Sequence, residues 1–257
     1  MDKRFLSVMV ICIAFLAIAC AGCTGSAPAA SEKPVYKVGV DIPYPPFSEL
    51  TADGKYSGFD ADSIRWIGED QGFDVEFVTV AWDGIIPTLL AGNIDMIYSG
   101  MTITDERAEK VDFSIPYWTI NQAVIAKKDS GFTIDNLNAG ELVIGTQSGC
   151  TAAIWTEENL IATGVMSEDN LKLYPSIGNA ADDVTTGRID VAMYDDTVMN
   201  DVIQDKDLEI VGYLDTNEEF GIAIRKDNGE LLAMLDAGLT NLMADPYWEE
   251  LKTKYEM

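Results

Sequence analysis

The chain has 257 residues, and its 43 aspartates and glutamates against 17 lysines and arginines give a formal net charge of −26, with no histidine. Such an acidic excess argues against a nucleic-acid-binding protein, because affinity for nucleic acids comes largely from Lys and Arg. The lack of histidine excludes Ser-His and Cys-His catalytic pairs and imidazole ligands for zinc. The length allows one compact domain or two smaller ones.

The first segment has the features of an export signal. Two basic residues open it, and an apolar stretch then runs to the small residues before Cys23. This pattern predicts a signal peptide over residues 1–22 and a lipid anchor to the membrane on Cys23. Two alternatives stay open: Cys20 as the lipidated residue, and retention of the apolar run, about 18 residues long, as a membrane anchor. Each of them places the folded part outside the cytoplasmic membrane, in the periplasm or at the cell surface.

The next segment, residues 23–34, is rich in Ser, Ala, Pro and Gly and predicts a flexible tether. After the tether the chain has a single cysteine, Cys150, so no disulfide framework is expected. Neither a cofactor nor a metal site is predicted.

The folded part begins with alternating strands and helices. Runs of β-branched and aromatic residues predict the strands, and spaced apolar residues that end at a glycine predict the helices. These elements are a strand at residues 35–40, a helix at 60–71, a strand at 75–80, a helix at 83–90 and a strand at 95–98. The order favours a mostly parallel sheet with both faces covered.

A phrase of the first half recurs in the second. Residues 91–97 (AGNIDMI) are echoed by residues 186–192 (TGRIDVA), which predicts two similar α/β lobes, with chance similarity as the alternative. Ligands of open α/β sheets bind beyond the carboxyl ends of the strands. If the lobes face each other, the polar residues at these ends meet in one cleft: Asp41, Ser99, Gly100, Gln147 and Asp195.

The stretch from Ser99 to Arg107 carries the most chemical information. It places hydroxyls, a glycine with an exposed backbone N–H and an arginine directly after a predicted strand. The planar guanidinium of Arg107 suits a carboxylate held by two hydrogen bonds. The alternative is that Arg107 pairs with a nearby surface acid.

Four motifs in series carry a family resemblance: Asp41–Phe47 (DIPYPPF), Gly58–Asp62 (GFDAD), Thr102–Arg107 (TITDER) and Val111–Tyr117 (VDFSIPY). From about Val35 to the C terminus the chain resembles the family 3 extracellular solute-binding proteins. The resemblance implies a periplasmic-binding-protein-like fold of type II, with two α/β lobes joined by two hinge strands. Lobe 1 would hold residues 35–117 and 221–257, and lobe 2 residues 122–215.

The resemblance also implies roles for individual residues. Arg107 and Thr151 would bind the α-carboxylate of an amino acid, and Asp195 on the other lobe its α-ammonium. Ser99 and Thr102 would add hydroxyls, and Gly100 its backbone.

The remaining implied contacts concern the ligand's side chain. Tyr44 and Trp82 would form aromatic walls, with core packing as the alternative for each. Asp41 and Gln147 would contact the far end of the side chain, with a loop or helix-cap role as the alternative for Asp41. A negative Asp41 disfavours acidic ligands, so we expect a cationic amino acid such as Arg, Lys or His, or else glutamine.

The function implied is that of a monomeric receptor that delivers an amino acid to the permease of an ABC transporter. Two alternatives stay open. One is a secreted cyclohexadienyl dehydratase on the same scaffold, in which Asp195 or Glu106 would act as general acid. The other is a receptor that passes its ligand state to a signalling partner.

Overall fold

Two five-stranded sheets organise the computed structural model, which describes residues 33–257. The predicted signal peptide, Cys20 and Cys23 lie outside these residues, and so does most of the predicted tether. Within the described range no helix is long and apolar enough to span a bilayer.

The first part of the chain builds most of one sheet. Its elements are β1 (Val35–Val40), β2 (Glu49–Leu50), β3 (Tyr56–Ser57), α1 (Phe59–Gln71), β4 (Asp74–Thr79), α2 (Trp82–Leu90), β5 (Met96–Ile97), α3 (Asp105–Lys110) and β6 (Asp112–Phe113). β1 pairs in parallel with β4 and with β5, while β2 and β3 form a separate small hairpin. The predicted strands and helices of this part therefore all form, with ends shifted by no more than two residues.

The middle of the chain builds the second sheet. Its elements are β7 (Trp118–Lys127), α4 (Ile134–Asn138), β8 (Ile144–Gln147), α5 (Thr151–Thr156), β9 (Leu171–Tyr174), α6 (Ile177–Thr186), β10 (Val191–Asp195), α7 (Asp196–Ile203) and β11 (Leu208–Phe220). A π-helical turn at Glu157–Ile161 follows α5, and a 3₁₀ turn at Glu168–Asn170 precedes β9. β8 pairs in parallel with β9 and with β10.

The end of the chain returns to the first sheet through β12 (Ala223–Ile224), followed by α8 (Gly229–Ala244) and α9 (Pro246–Lys254). The sheet orders are β4-β1-β5-β12-β6 and β11-β7-β10-β8-β9. We call the two sheets with their helices lobe 1 and lobe 2. The exact lobe boundaries given above stay a prediction.

The sheets are mixed rather than mostly parallel. β12 runs antiparallel to β5 and β6, and β7 runs antiparallel to β10 and β11. The reason is that the chain passes between the lobes twice, so the strands that follow a crossing enter their sheet in the opposite direction. β7 and β11 pair with each other and form the two crossing strands.

Candidate functional site

The carboxyl ends of strands from both lobes meet at one small cavity of about 10 Å³. Nine of the ten residues predicted to contact a ligand line it, and Cys150 and Tyr194 line it as well. The nine are Asp41, Tyr44, Trp82, Ser99, Gly100, Thr102, Arg107, Thr151 and Asp195. Gln147, the tenth, does not line the cavity but contacts Asp41, which does. Contact of these residues with a ligand stays a prediction.

Arg107 is a buried cation, and the part of the chain that the structure describes offers it no carboxylate partner. It lies in α3, whose first turn is capped by the hydroxyl of Thr104, and only 6% of its surface is exposed. Its guanidinium donates to the carbonyl oxygens of Thr102 (2.9 Å) and Gly149 (3.1 Å) and lies 5.4 Å from the ring centre of Trp82. Among residues 33–257 no carboxylate oxygen lies within 4.0 Å of it. The alternative of a surface ion pair is therefore wrong.

Burial disfavours the charged form of this arginine and lowers its pKa, although nearby acidic groups oppose the effect. A buried cation is costly unless an anion accompanies it. The cavity beside Arg107 is thus suited to an anionic group.

Asp195 ends β10 on the opposite lobe and is also buried. Its carboxylate accepts hydrogen bonds from the Tyr44 hydroxyl (2.6 Å) and from the side-chain amide of Gln122 (2.8 Å). Burial, together with the nearby charge of Glu218, raises the pKa of Asp195 to about 7. The cavity therefore has a cation on the lobe 1 side and a carboxylate on the lobe 2 side.

Asp41 and Gln147 form another contact between the lobes. The Gln147 amide donates to the Asp41 carboxylate (2.7 Å) and to the Pro175 carbonyl oxygen (3.1 Å), and its oxygen accepts from the Tyr194 hydroxyl (2.5 Å). Burial raises the pKa of Asp41 to about 6. Tyr194 thus fixes the amide so that its nitrogen faces Asp41 and the Pro175 carbonyl oxygen.

The two predicted aromatic walls differ in how they are held. The Tyr44 ring is almost fully buried and stacks on Phe47 with ring centres 5.2 Å apart. Trp82 is half-buried, and its indole N–H donates to the Gly149 carbonyl oxygen (3.1 Å). That oxygen therefore receives donors from both Trp82 and Arg107.

The Gly100 position requires glycine. Its φ is +55°, and a Cβ there would lie 2.5 Å from a ring carbon of Tyr44. Its N–H donates to the fully buried carboxylate of Asp60 (2.8 Å), so the expectation of an exposed N–H at this residue is wrong. This N–H provides one of the two hydrogen bonds that the buried Asp60 carboxylate accepts.

The predicted hydroxyl groups have partners within the protein. Ser99 Oγ accepts from the Asp41 N–H (3.1 Å), and Thr102 Oγ1 donates to Glu218 (3.0 Å). Thr151 Oγ1 lies 3.4 Å from the Gln122 amide nitrogen. These hydroxyl groups, which lie at the cavity, thus contact one strand end and both crossing strands.

Four residues at the site were not predicted from the sequence to be functional: Asp60, Gln122, Tyr194 and Glu218. Of these, Glu218 adds a third carboxyl group near the cavity, beside those of Asp41 and Asp195. Only Asp60 had a sequence signal, because it lies in the GFDAD motif.

Comparisons with known proteins agree with this architecture. Residues 36–257 match the family described as bacterial extracellular solute-binding proteins, family 3. The L-arginine-binding protein of Pseudomonas aeruginosa is 31% identical over 235 residues, which are 88% of this chain and 89% of that protein.

Two solved structures are similar in fold and sequence. An ancestral arginine-binding protein bound to arginine has a TM-score of 0.78 and 32% identity, covering 87% of this chain and 98% of its own. The ancestral amino acid-binding protein AncCDT-1, a precursor of cyclohexadienyl dehydratase, has a TM-score of 0.77 and 34% identity, covering 86% and 95%.

Proposed function

The chain belongs to the family 3 bacterial extracellular solute-binding proteins, and from this premise we propose that it is an extracytoplasmic receptor for a polar, preferably cationic, amino acid. The observation that carries the proposal is the buried guanidinium of Arg107, which has no carboxylate partner among residues 33–257, with the Asp195 carboxylate on the opposite side of the same cavity.

These two charges match the two charges of a free amino acid. A zwitterion that enters a closed cavity loses hydration worth several kcal/mol per ion unless each charge finds a partner. Arg107 with Thr151 would bind the α-carboxylate, and Asp195 would bind the α-ammonium. Because the groups come from different lobes, the ligand favours the arrangement in which the lobes are together.

The preference for a cationic side chain rests on charge. Above pH 7, where Asp41 and Asp195 with their pKa values of about 6 and 7 are ionised, the site is negative overall, so a ligand with net charge +1 reduces the imbalance more than a neutral one does. Asp41 would contact the far end of the side chain, between the faces of Tyr44 and Trp82. Similarity to arginine-binding proteins supports this preference. Glutamine is the next candidate.

We further propose that the receptor works as a monomer and delivers its ligand to an ABC-transporter permease. A lipid on Cys23 would anchor it through the tether of residues 23–34. These proposals rest on the family and on the predicted leader.

A dehydratase on this scaffold is the second candidate, and its support is Asp195, a buried carboxyl with a pKa of about 7, which suits a general acid near neutral pH. Against it, Asp195 suits an ammonium group, which prephenate lacks. Similarity to AncCDT-1, a precursor of such an enzyme, is similarity to an amino acid-binding protein. Signalling through a partner remains the other alternative.

A thermal-shift screen of the twenty amino acids with ornithine and citrulline tests the proposal. A ligand that binds only the folded state raises Tm by mass action. We expect the largest shifts with Arg, Lys or ornithine. Arg107→Ala should abolish the shift, and the exposed control Arg188→Ala should keep it. No shift with any amino acid, or turnover of prephenate, would refute the receptor proposal.

A further inference from the structure

The second crossing strand, β11, carries an irregularity beside the cavity. Along β7 the register moves by two residues, from Gln122 to Ile120, while along β11 it moves by four, from Leu214 to Glu218. Asn217 within this bulge has a φ of +49°. Bulges redirect side chains, and the Glu218 carboxylate beside this one contacts Thr102, which lines the cavity.

Glu218 contacts both lobes from this position. Its Oε2 accepts from Thr102 Oγ1 of lobe 1 (3.0 Å), and its Oε1 accepts from Gln122 Nε2 at the start of lobe 2 (2.9 Å). Thr216 Oγ1 adds a third donor (2.9 Å). The carboxylate therefore sits between the two halves of the site.

Gln122 connects Glu218 to Asp195. Its side chain is fully buried, and its amide nitrogen donates to Asp195 Oδ1 (2.8 Å) as well as to Glu218. Its amide oxygen has no hydrogen-bond partner among the described residues. In this orientation the amide nitrogen faces both carboxyl groups, whereas a rotated amide would turn its oxygen toward them. One amide thus holds two like charges close together.

We propose that Glu218 is a positioning residue of the cleft: through Gln122 it fixes the orientation of Asp195, and it supplies a second negative charge behind the site for the α-ammonium. The inference rests on the proposed function, because that function assigns the ammonium to Asp195. Nothing in the four sequence motifs points to Glu218.

The charge of Glu218 has a consequence for proton binding. The ionisable groups that act on Asp195 are Tyr44, Tyr194, Arg107, Cys150 and Glu218. Glu218 is the one carboxylate among these groups, and its negative charge raises the pKa of Asp195. Asp195 therefore keeps its proton to a higher pH. An ammonium that binds Asp195 displaces this proton to the buffer. Part of the binding energy near neutral pH is therefore linked to proton release.

Glu218→Gln tests the proposal, since the amide retains the shape and an acceptor for Gln122 but has no charge. The matched control is Glu219→Gln, because Glu219 is an exposed neighbour on the same strand. Calorimetry with L-arginine at pH 6.5, in two buffers of different ionisation enthalpy, counts the protons released. We expect Glu218→Gln to release fewer protons than the wild type and to bind roughly tenfold more weakly at pH 8.5. The control should match the wild type on both counts.

Unchanged proton release and affinity in Glu218→Gln would overturn the proposal.

A second measurement needs no ligand: urea unfolding at pH 5.5 and pH 8.5. The folded-state pKa of Asp195 is raised, so the protein loses stability as pH rises toward 7, and Glu218→Gln should lose less. An equal loss in wild type and variant would also overturn it. If the wild type binds no amino acid, the proposed function fails, while the unfolding data still decide the role of Glu218.

Discussion

Tyr44 of lobe 1 and Asp195 of lobe 2 join the lobes through a hydrogen bond of 2.6 Å. It is one of four such contacts made by residues to which we assign ligand binding, the others being Arg107 with Gly149, Trp82 with Gly149 and Asp41 with Gln147. An amino acid that enters the cavity competes with these contacts. The net affinity is then the difference between ligand contacts made and protein contacts replaced.

The Tyr44 contact can be tested by Tyr44→Phe, which retains the ring on Phe47 and removes one of the donors to Asp195. Hydrogen bonds to charged groups contribute about 1.5–3 kcal/mol, so the free energy of unfolding should fall by about that amount at pH 8. The fall should be smaller at pH 5.5, where Asp195, with its pKa of about 7, is largely protonated. Urea denaturation measures both, and the exposed Tyr213→Phe is the control. Equal effects for the two variants would contradict the role given to this bond.

Arg107 should be the most sensitive position for ligand affinity. Arg107→Ala leaves a buried carboxylate of the ligand unpaired and should cost about 3–5 kcal/mol, or roughly 10²-fold or more. Arg107→Lys keeps the charge but loses the planar pair of donors, so it should fall between wild type and Ala. Near-normal binding of the ligand to the Ala variant in calorimetry would show that Arg107 does not bind the ligand's carboxylate.

The strands, the helices and the residues at the strand ends were predictable from the sequence, because strand-end positions follow from local patterns and the motif around Arg107 is specific. Gln122 and Glu218 were not predictable, because they contact each other although they lie 96 residues apart in the chain. Their contact depends on a bulge between crossing strands, and no local pattern encodes that register.

Tyr194 was missed for a different reason. In a short buried strand a tyrosine is indistinguishable from a core residue, and only the structure shows its hydroxyl on Gln147. The mixed character of the sheets was also beyond the sequence, because strand direction after a crossing is a tertiary property.

Asp41 should determine selectivity between cationic and neutral ligands. Asp41→Asn should weaken L-arginine far more than L-glutamine, since only the cationic side chain needs the carboxylate charge. The pKa of Asp41 is about 6, so in the wild type the affinity for L-arginine should rise from pH 5 to pH 7 as the carboxyl ionises. Titration calorimetry at both pH values checks this. An equal loss for the two ligands would end the selectivity argument.

Cys150 should react slowly with thiol reagents in the folded protein. It is buried, its sulfur lies 3.1 Å from Thr146 Oγ1, and burial raises its pKa to about 11. Because the thiolate is the reactive species, labelling by iodoacetamide at pH 8 should be far slower in buffer than in urea. Peptide mass spectrometry with Cys150→Ala as the blank isolates this residue. Equal rates in both conditions would mean that the thiol is accessible.

Asp60 should make the protein less stable as pH rises. Its carboxylate Oδ2 accepts from the Gly100 N–H (2.8 Å) and the Tyr117 hydroxyl (3.0 Å), while Oδ1 has no hydrogen-bond partner among the described residues. Burial raises its pKa from 3.8 to about 8. The folded state therefore holds a proton that the unfolded chain releases above pH 4, and stability falls between about pH 4 and pH 8.

Asp60→Asn retains an oxygen for both donors and carries no charge at any pH. It should lose less stability than the wild type between pH 5 and pH 9, by at least about 2 kcal/mol. Urea unfolding across this range measures the difference, and the exposed Asp74→Asn serves as the matched control. Parallel pH profiles for wild type and Asp60→Asn would show that the Asp60 carboxyl does not hold a proton in the folded protein.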